Sequence, residues 1–290
     1  MVQARLKGRA ASEARVISLV PPSLGGYREA RGTSEFQPQP TSAARAASAI
    51  RSRIIGMSEK RFRDSKGFKL SAIFGSGSER APLSDKFTAV YQGNLWKGTE
   101  SVSGPGSDLA QTEVIRTEIP KLLERFSIRS MIDAPCGDYF WMKQVDLGDV
   151  HYTGLDIVEA LVERNNRQFA DATHVFRRCN IVEEGLPEAD LILSRDCLVH
   201  LSYRQTFKAI ANFKSSKARY LLTTTFHGRT NHDLGKMVWR PLDLCHPPFN
   251  FPEPEVLINE KCTEHGGICG DKSLGLWDLK KIRLSSVALV

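Results

Sequence analysis

Residues Met131 to Val158 read MIDAPCGDYFWMKQVDLGDVHYTGLDIV. The stretch opens on a short apolar run that ends on Asp133 and turns at once through Ala134-Pro135-Cys136-Gly137-Asp138. A second run, His151 to Asp156, again ends on an acid, 23 positions after the first. A tight turn off one strand and an acid ending the next suit a nucleoside ligand at the edge of a parallel sheet. The turn lets backbone approach the ligand, and the carboxylate accepts hydrogen bonds from ribose hydroxyls. A pyrophosphate does not fit this turn. A dinucleotide fingerprint has three glycines where this turn has only Gly137, and the Asp138 carboxylate repels phosphate. The pattern therefore favours a cofactor without phosphates.

Downstream, apolar runs alternate with helical spacing. A short helix is expected over Trp141 to Val145 and a longer one over Glu159 to Phe169. Strands are expected over Val175 to Arg178, Leu191 to Ser194 and Tyr220 to Phe226. A helix lies between the last two, with Phe207, Ile210 and Phe213 turned inward. This alternation implies a parallel sheet with helices on both faces. After His227 the chain becomes polar and proline-rich. Val256 to Asn259 and Leu274 to Leu279 then read as two short strands.

Upstream, Glu100 to Asp108 is a Gly/Ser-rich loop that ends on a helix N-cap, Ser107 or Asp108, with Gln111 three residues after Asp108. Ile115, Ile119, Leu122, Leu123 and Phe126 follow at helical spacing, and Pro120 is expected to kink or divide that helix.

Together these blocks resemble the class I S-adenosylmethionine (SAM) dependent methyltransferases. DAPCGD stands at the family's motif I, GLDIV at the acidic end of the second strand, and NLW, SGPGS and RDCLVHLS complete the likeness. It covers roughly Asn94 to Leu279. Pro135 and Tyr139 stand where the usual D-x-G-x-G-x-G motif has glycine. The resemblance implies a Rossmann-like, doubly wound, mostly parallel sheet closed by an antiparallel C-terminal pair, with SAM as cofactor. It implies methyl transfer but not the acceptor, since this fold serves small molecules, sugars, proteins and nucleic acids alike; a small-molecule or saccharide-like acceptor is the leading expectation.

Carried over residue by residue, Asp156 with Ile157 would hold the ribose, and a helix N-cap is its plainer reading. Asp133, Ala134, Pro135 and Gly137 would line the turn under the methionine moiety. Asp138 would reach its ammonium, and Trp141 or Tyr139 would lie against the sulfonium unless either is simply core. Asn180, with Ile181, would accept from the adenine amino group. Ser103, Gly104, Gly106 and Ser107 would hold the methionine carboxylate, or be an ordinary capped turn. Arg195 is also placed at the cofactor. Asp196 or His200 is the candidate base, needed only if the nucleophile carries a proton at neutral pH. The alternative is a structural Arg195–Asp196 ion pair with His200 packed in the core.

The net charge of +7 divides unevenly. Residues 1–85 carry 15 Lys and Arg against 7 Asp and Glu, while residues 86–290 carry 25 against 26. The expected catalytic part thus gives no electrostatic argument for nucleic acid. Residues 1–56 read as a basic tail, a transit-like segment or the product of a start assigned ahead of Met57. Residues 43–55 have the spacing of a short helix. Residues 57–93 read as an N-terminal extension and 94–290 as the SAM-binding domain.

No apolar run approaches the length of a membrane span. Six scattered cysteines suit reduced thiols and a cytoplasmic setting, organelle targeting being the alternative. Cys245, His246, Cys262, His265 and Cys269 lack the C-x-x-C pairs of structural zinc sites, so no metal is expected. Oligomeric state is not legible. A catalytically inactive SAM-binding regulator of the same fold is the competing reading, supported by the two missing glycines. A nicotinamide oxidoreductase is opposed by Pro135 and Asp138.

Overall fold

The computed structural model describes residue 73, residues 81–235 and residues 237–284. The expected helix over 43–55 and the boundary near residue 56 lie outside them.

A seven-stranded sheet forms the centre, in the order β3-β2-β1-β4-β5-β7-β6. Its strands are β1 (Ser130–Asp133), β2 (His151–Asp156), β3 (His174–Arg178), β4 (Leu191–Ser194), β5 (Tyr220–Phe226), β6 (Val256–Asn259) and β7 (Lys272–Asp278). The first five pair in parallel, and β7 runs antiparallel to both β5 and β6. This is the doubly wound, mostly parallel sheet with an antiparallel C-terminal edge that the sequence implied.

The pleat explains why the strands read as continuous apolar runs. Met131, Leu191, Leu193, Leu222, Leu274 and Leu276 pack into one core. Their neighbours Ile132, Ile192, Leu221 and Trp277 pack into a second core on the opposite face. Both faces are covered, so every position along β4 and β5 is buried. Of the helices α1 (Leu83–Gln92), α2 (Glu113–Arg125), α3 (Glu159–Phe169) and α4 (Tyr203–Ser215), α2 covers the first core with Ile115, Ile119, Leu122 and Leu123. The other face is covered by α4, through Phe207, Ile210 and Phe213. A capping box on Ser202 and Gln205 starts α4.

Three local expectations change. The helix expected after Ser107 or Asp108 starts at Glu113, and residues 105–107 form a single 3-10 turn. Gln111 does not complete a capping box because its side chain is drawn to Thr263, donating to Oγ1 at 2.7 Å and accepting from the backbone N–H at 3.1 Å. Pro120 lies inside one helical run and does not divide it. The expected helix over Trp141 to Val145 shrinks to a 3-10 turn at Met142–Gln144. Within the expected N-terminal extension, α1 forms, and its Val90 packs with Leu95, Trp96 and Val238. No helix among the described residues is long and apolar enough to cross a membrane.

Candidate functional site

The parallel register brings the ends of β1, β2 and β4 to one edge. Asp133 pairs in register with Gly154 and Leu193, so the turn after β1 leaves the sheet between its two neighbours. Asp156, at the end of β2, is buried and receives two backbone N–H groups. Gly137 donates to Oδ2 at 3.0 Å and Val158 to Oδ1 at 2.9 Å. Each carboxylate oxygen has two lone pairs, so one remains on each oxygen. Burial raises Asp156 to about 6, against the lowering effect of the Val158, Gly137 and Ile157 N–H groups.

Asp133 is buried beside it and accepts the Tyr152 hydroxyl at 2.8 Å. Burial raises Asp133 to about 7, and the Asp156 charge adds to the rise. Because the folded pKa lies above the ordinary value of 3.8, folding takes up a proton between the two values. The stability this group contributes is complete below about pH 3.8 and is lost as pH climbs through about 7. Asp133→Asn keeps an acceptor for Tyr152 and removes the titration. The melting temperature of the variant is expected to gain on wild type progressively from pH 4.5 to 7, by several degrees in all, and then hold its lead. Parallel melting curves across that range would contradict the assignment.

Asp138 does not reach outward. Its carboxylate is taken up by the segment before β1. Ser101 Oγ donates at 2.8 Å, Val102 N–H at 3.0 Å and Ser103 Oγ at 3.1 Å. Ser103 Oγ in turn accepts from the Asp138 N–H at 3.2 Å. A carboxylate with these partners acts as a latch for the 101–103 loop, in place of the expected reach toward a ligand ammonium. Gly137 explains itself in the same contact: φ is +54°, and a Cβ there would sit 2.2 Å from Ser103 Oγ. Asn165 on α3 donates to the Gly137 carbonyl at 2.8 Å and braces the turn from behind.

Of the two readings of Ser103, Gly104, Gly106 and Ser107, the contacts favour an ordinary turn: residues 105–107 make one 3-10 turn and no α-helix starts on them, the Ser103 hydroxyl donates to Asp138, and the Ser107 N–H bonds the Gly104 carbonyl. The Gly106 carbonyl accepts from Arg195 Nη2 at 2.8 Å.

Arg195 is likewise engaged within the fold. It forks onto Glu260, with Nη2 at 2.7 Å from Oε2 and Nε at 3.3 Å from Oε1, and lies 3.4 Å from Asp196. Lys272 closes the group at 2.5 Å from Asp196 and 3.5 Å from Glu260. Arg195, Glu260 and Lys272 are buried, and only Asp196 keeps an open face. Burial acts to raise Asp196, but the Lys272 ammonium and the Arg195 guanidinium outweigh it and hold the carboxyl at about 2. A group ionised that firmly is a weak acceptor of a proton near neutral pH, which favours His200 over Asp196 as the candidate base. Its φ of +51° is accommodated by a hydrogen bond from its N–H to Thr224 Oγ1 at 2.8 Å.

His200 sits on the 3-10 turn Leu198–His200, not on an α-helical face shared with Asp196. Its Nδ1 is 2.6 Å from the Val238 carbonyl, and the Trp96 ring lies over it with centroids 4.8 Å apart. A carbonyl only accepts, so Nδ1 carries the proton and Nε2 keeps its lone pair. Burial lowers its pKa, which leaves the ring neutral at physiological pH.

Elsewhere, Asn180 Oδ1 accepts from the Val182 N–H at 3.1 Å, and its amide donates to Glu183 at 3.1 Å. The side chain thus shapes the turn after β3 while holding its place beside Ile181. Tyr139 belongs to the aromatic cluster of Tyr152, Phe169 and Phe176. Trp141 is buried, with the Arg195 guanidinium 5.4 Å from its ring centroid. Ala134 is buried at the start of the turn, Pro135 stands partly open beside it, and Ile157 is half-buried after Asp156.

The cysteine–histidine set also scatters. His246 pairs with Asp243 at 2.9 Å, while Cys262 and Cys269 pack with Val199, Phe226 and Trp239. All six cysteines are free thiols. Among the described residues no group of three or more His, Cys, Asp or Glu is placed to hold a metal ion.

Sequence reasoning missed Ser101, Tyr152, Glu260, Lys272, Trp96 and Arg240. Their partners lie far along the chain, 76 residues for Lys272 and Asp196 and farther still for Trp96 and His200, so no local spacing marks them.

No family model matches the chain, and no curated protein gives a significant match. Solved structures do. Human N-acetylserotonin methyltransferase, in complex with SAM, matches with a TM-score of 0.51 at 14% identity, over 74% of this chain and 67% of that one. CalS10, a SAM-bound amino pentose methyltransferase from Micromonospora echinaspora, matches with a TM-score of 0.34 at 12% identity, over 38% and 48%. NodS, an N-methyltransferase from Bradyrhizobium japonicum in complex with S-adenosylhomocysteine, matches with a TM-score of 0.40 at 16% identity, over 47% and 73%. The chain thus spans about half the length of CalS10. At these identities the likeness is one of fold, carried by the first of the three: the sheet is that of the class I methyltransferases.

Proposed function

We propose that the chain is a SAM-dependent methyltransferase, with residues 94–290 as its catalytic domain and a small-molecule or saccharide-like acceptor. The observation that carries this is Asp156. It ends β2 beside the turn after β1, held by two backbone N–H groups and retaining a lone pair on each oxygen for a ribose diol. The turn's chemistry argues the same way, because a pyrophosphate there would meet the Asp133 and Asp156 carboxylates where it needs N–H groups.

SAM would supply an activated methyl group, transferred in line with its carbon–sulfur electron pair leaving on sulfur. The chain's own share is positioning and, for an acceptor that carries a proton, its removal. His200 is the base in this reading, through Nε2, since Nδ1 is committed to Val238. Asp196 supplies a fixed negative charge. A cytoplasmic setting remains part of the proposal, as does the absence of a nucleic-acid substrate. The near-neutral charge of residues 86–290 supports the latter.

Calorimetric titration with SAM, S-adenosylhomocysteine and NAD tests the reading. Both sulfur nucleosides are expected to bind and NAD to give no heat. Silence with the first two, or a preference for NAD, would overturn it.

A further inference from the structure

Between β5 and β6, residues 227–255 form no regular element among those described, yet they are anchored to the turn that carries His200. The anchor is Arg240, which is 2% exposed. Its Nη1 donates to the Leu198 carbonyl at 2.9 Å and its Nη2 to the Leu201 carbonyl at 2.5 Å, so one guanidinium grips both flanks of His200. Nε donates to the His232 carbonyl at 3.1 Å, and the Arg240 N–H to the Val199 carbonyl at 3.1 Å. The guanidinium also lies 5.5 Å from the Tyr203 ring centroid.

No carboxylate stands within ion-pair distance of it among the described residues. Asp233 Oδ1 takes the N–H groups of Tyr203 and Leu234, each at 2.7 Å, and the charge of Asp233 favours the guanidinium only from beyond ion-pair distance. Burying a cation on backbone carbonyls alone is a costly way to gain stability, so the arrangement is better explained by the geometry it enforces. A lysine serves two carbonyls only from a single nitrogen, as Lys214 does for Leu279 and Ile282, and has no second centre for the His232 carbonyl, whereas the planar fork holds all three from separate nitrogens.

Val238, whose carbonyl holds His200 Nδ1, lies two residues before Arg240 on the same segment. We infer that Arg240 is a positioning residue that locks His200 in its Nδ1–H tautomer, by clamping the Leu198–Leu201 turn to the segment that presents the Val238 carbonyl. The inference rests on the proposed role of His200 as base for its catalytic meaning, but its structural content does not depend on cofactor.

The charged groups facing His200 are Asp196, which favours the imidazolium, and Arg240 and Lys272, which oppose it. Charge and position therefore separate in two variants. Arg240→Lys keeps the cation and loses the fork, and Arg240→Met loses both.

The readout is the imidazole 15N NMR spectrum of His200 in the full chain, followed from pH 5 to 9 without ligand. Wild type is expected to show the neutral Nδ1–H tautomer across physiological pH. In Arg240→Lys the two nitrogen shifts are expected to move toward tautomer averaging with little change in titration midpoint. Arg240→Met is expected to add a rise in the midpoint. Retention of the wild-type tautomer in a folded Arg240→Lys variant, judged by a dispersed amide spectrum, would overturn the inference. So would an Nε2–H tautomer in wild type, which decides the matter even if both variants fail to fold. A chain that shows the expected tautomers but binds no sulfur nucleoside would refute the methyltransferase reading and leave the clamp standing.

Discussion

Asp156→Ala is expected to lower the affinity for SAM and S-adenosylhomocysteine by at least a hundredfold. Hydrogen bonds to a charged acceptor contribute about 1.5–3 kcal/mol each, and a ribose diol would make two with Asp156. The lower end of that range is about 3 kcal/mol, or roughly two decades in dissociation constant. The same substitution strips two donors of their acceptor, Gly137 N–H and Val158 N–H, so the turn after β1 loosens as well. Asp156→Asn separates the effects. Its amide oxygen keeps one backbone donor satisfied, while its NH2 group cannot accept a hydroxyl proton. Its binding loss should stay close to that of the alanine variant even though its melting temperature lies nearer wild type. Calorimetry on both variants, with a melting curve for each, checks this. An affinity within about threefold of wild type in the asparagine variant would remove Asp156 from the site.

Glu260→Ala should cost more stability than any other single change outside the apolar core. Glu260 is 3% exposed and accepts the Arg195 fork, with Lys272 a further 3.5 Å away. Removing it leaves two buried cations to share Asp196. Breaking a buried ion pair by deleting one partner costs about 3–5 kcal/mol, because the remaining charge stays out of water uncompensated. For a domain of this size that corresponds to a drop of roughly 6–20 °C in melting temperature. Arg195 also holds the Gly106 carbonyl, so a freed guanidinium should release the 103–107 loop. Differential scanning calorimetry gives the first effect and proteolytic nicking near Gly106 the second. Glu260→Gln, which keeps the shape and two acceptor lone pairs, should fall between the two. A loss under about 3 °C in the alanine variant would mean that water reaches the network and screens it.

The arrangement of chemistry along the sheet edge was readable in a way the contacts were not. The apolar runs ending on Asp133, Asp156 and Ser194 predicted three strand ends at one edge, and β1, β2 and β4 place them there with nearly the boundaries their patterning implies. Periodicity works at that level because burial on both faces of a parallel sheet demands unbroken apolar runs, as in Leu191–Ser194 and Tyr220–Phe226. The helix starts later than Ser107 or Asp108 because Gln111, spaced to complete a local cap, meets Thr263 instead, 152 residues away. Trp141 and Tyr139 were aromatic residues beside a ligand loop, and tertiary packing gave one to Arg195 and the other to Tyr152 and Phe176.

What local pattern settled, then, was the order and type of elements, the turn after β1 and the acid that ends β2, since each depends on residues within a few positions of one another. Tertiary structure alone decided which of the site's charges are free. Asp138 is spent on Ser101 and Ser103, Arg195 on Glu260, and Asp196 on Lys272, while His200 gives its Nδ1 to Val238 and keeps the lone pair on Nε2. A side chain's availability depends on who else reaches it once it is out of water, and those partners arrive from strands and loops that only the folded sheet brings together.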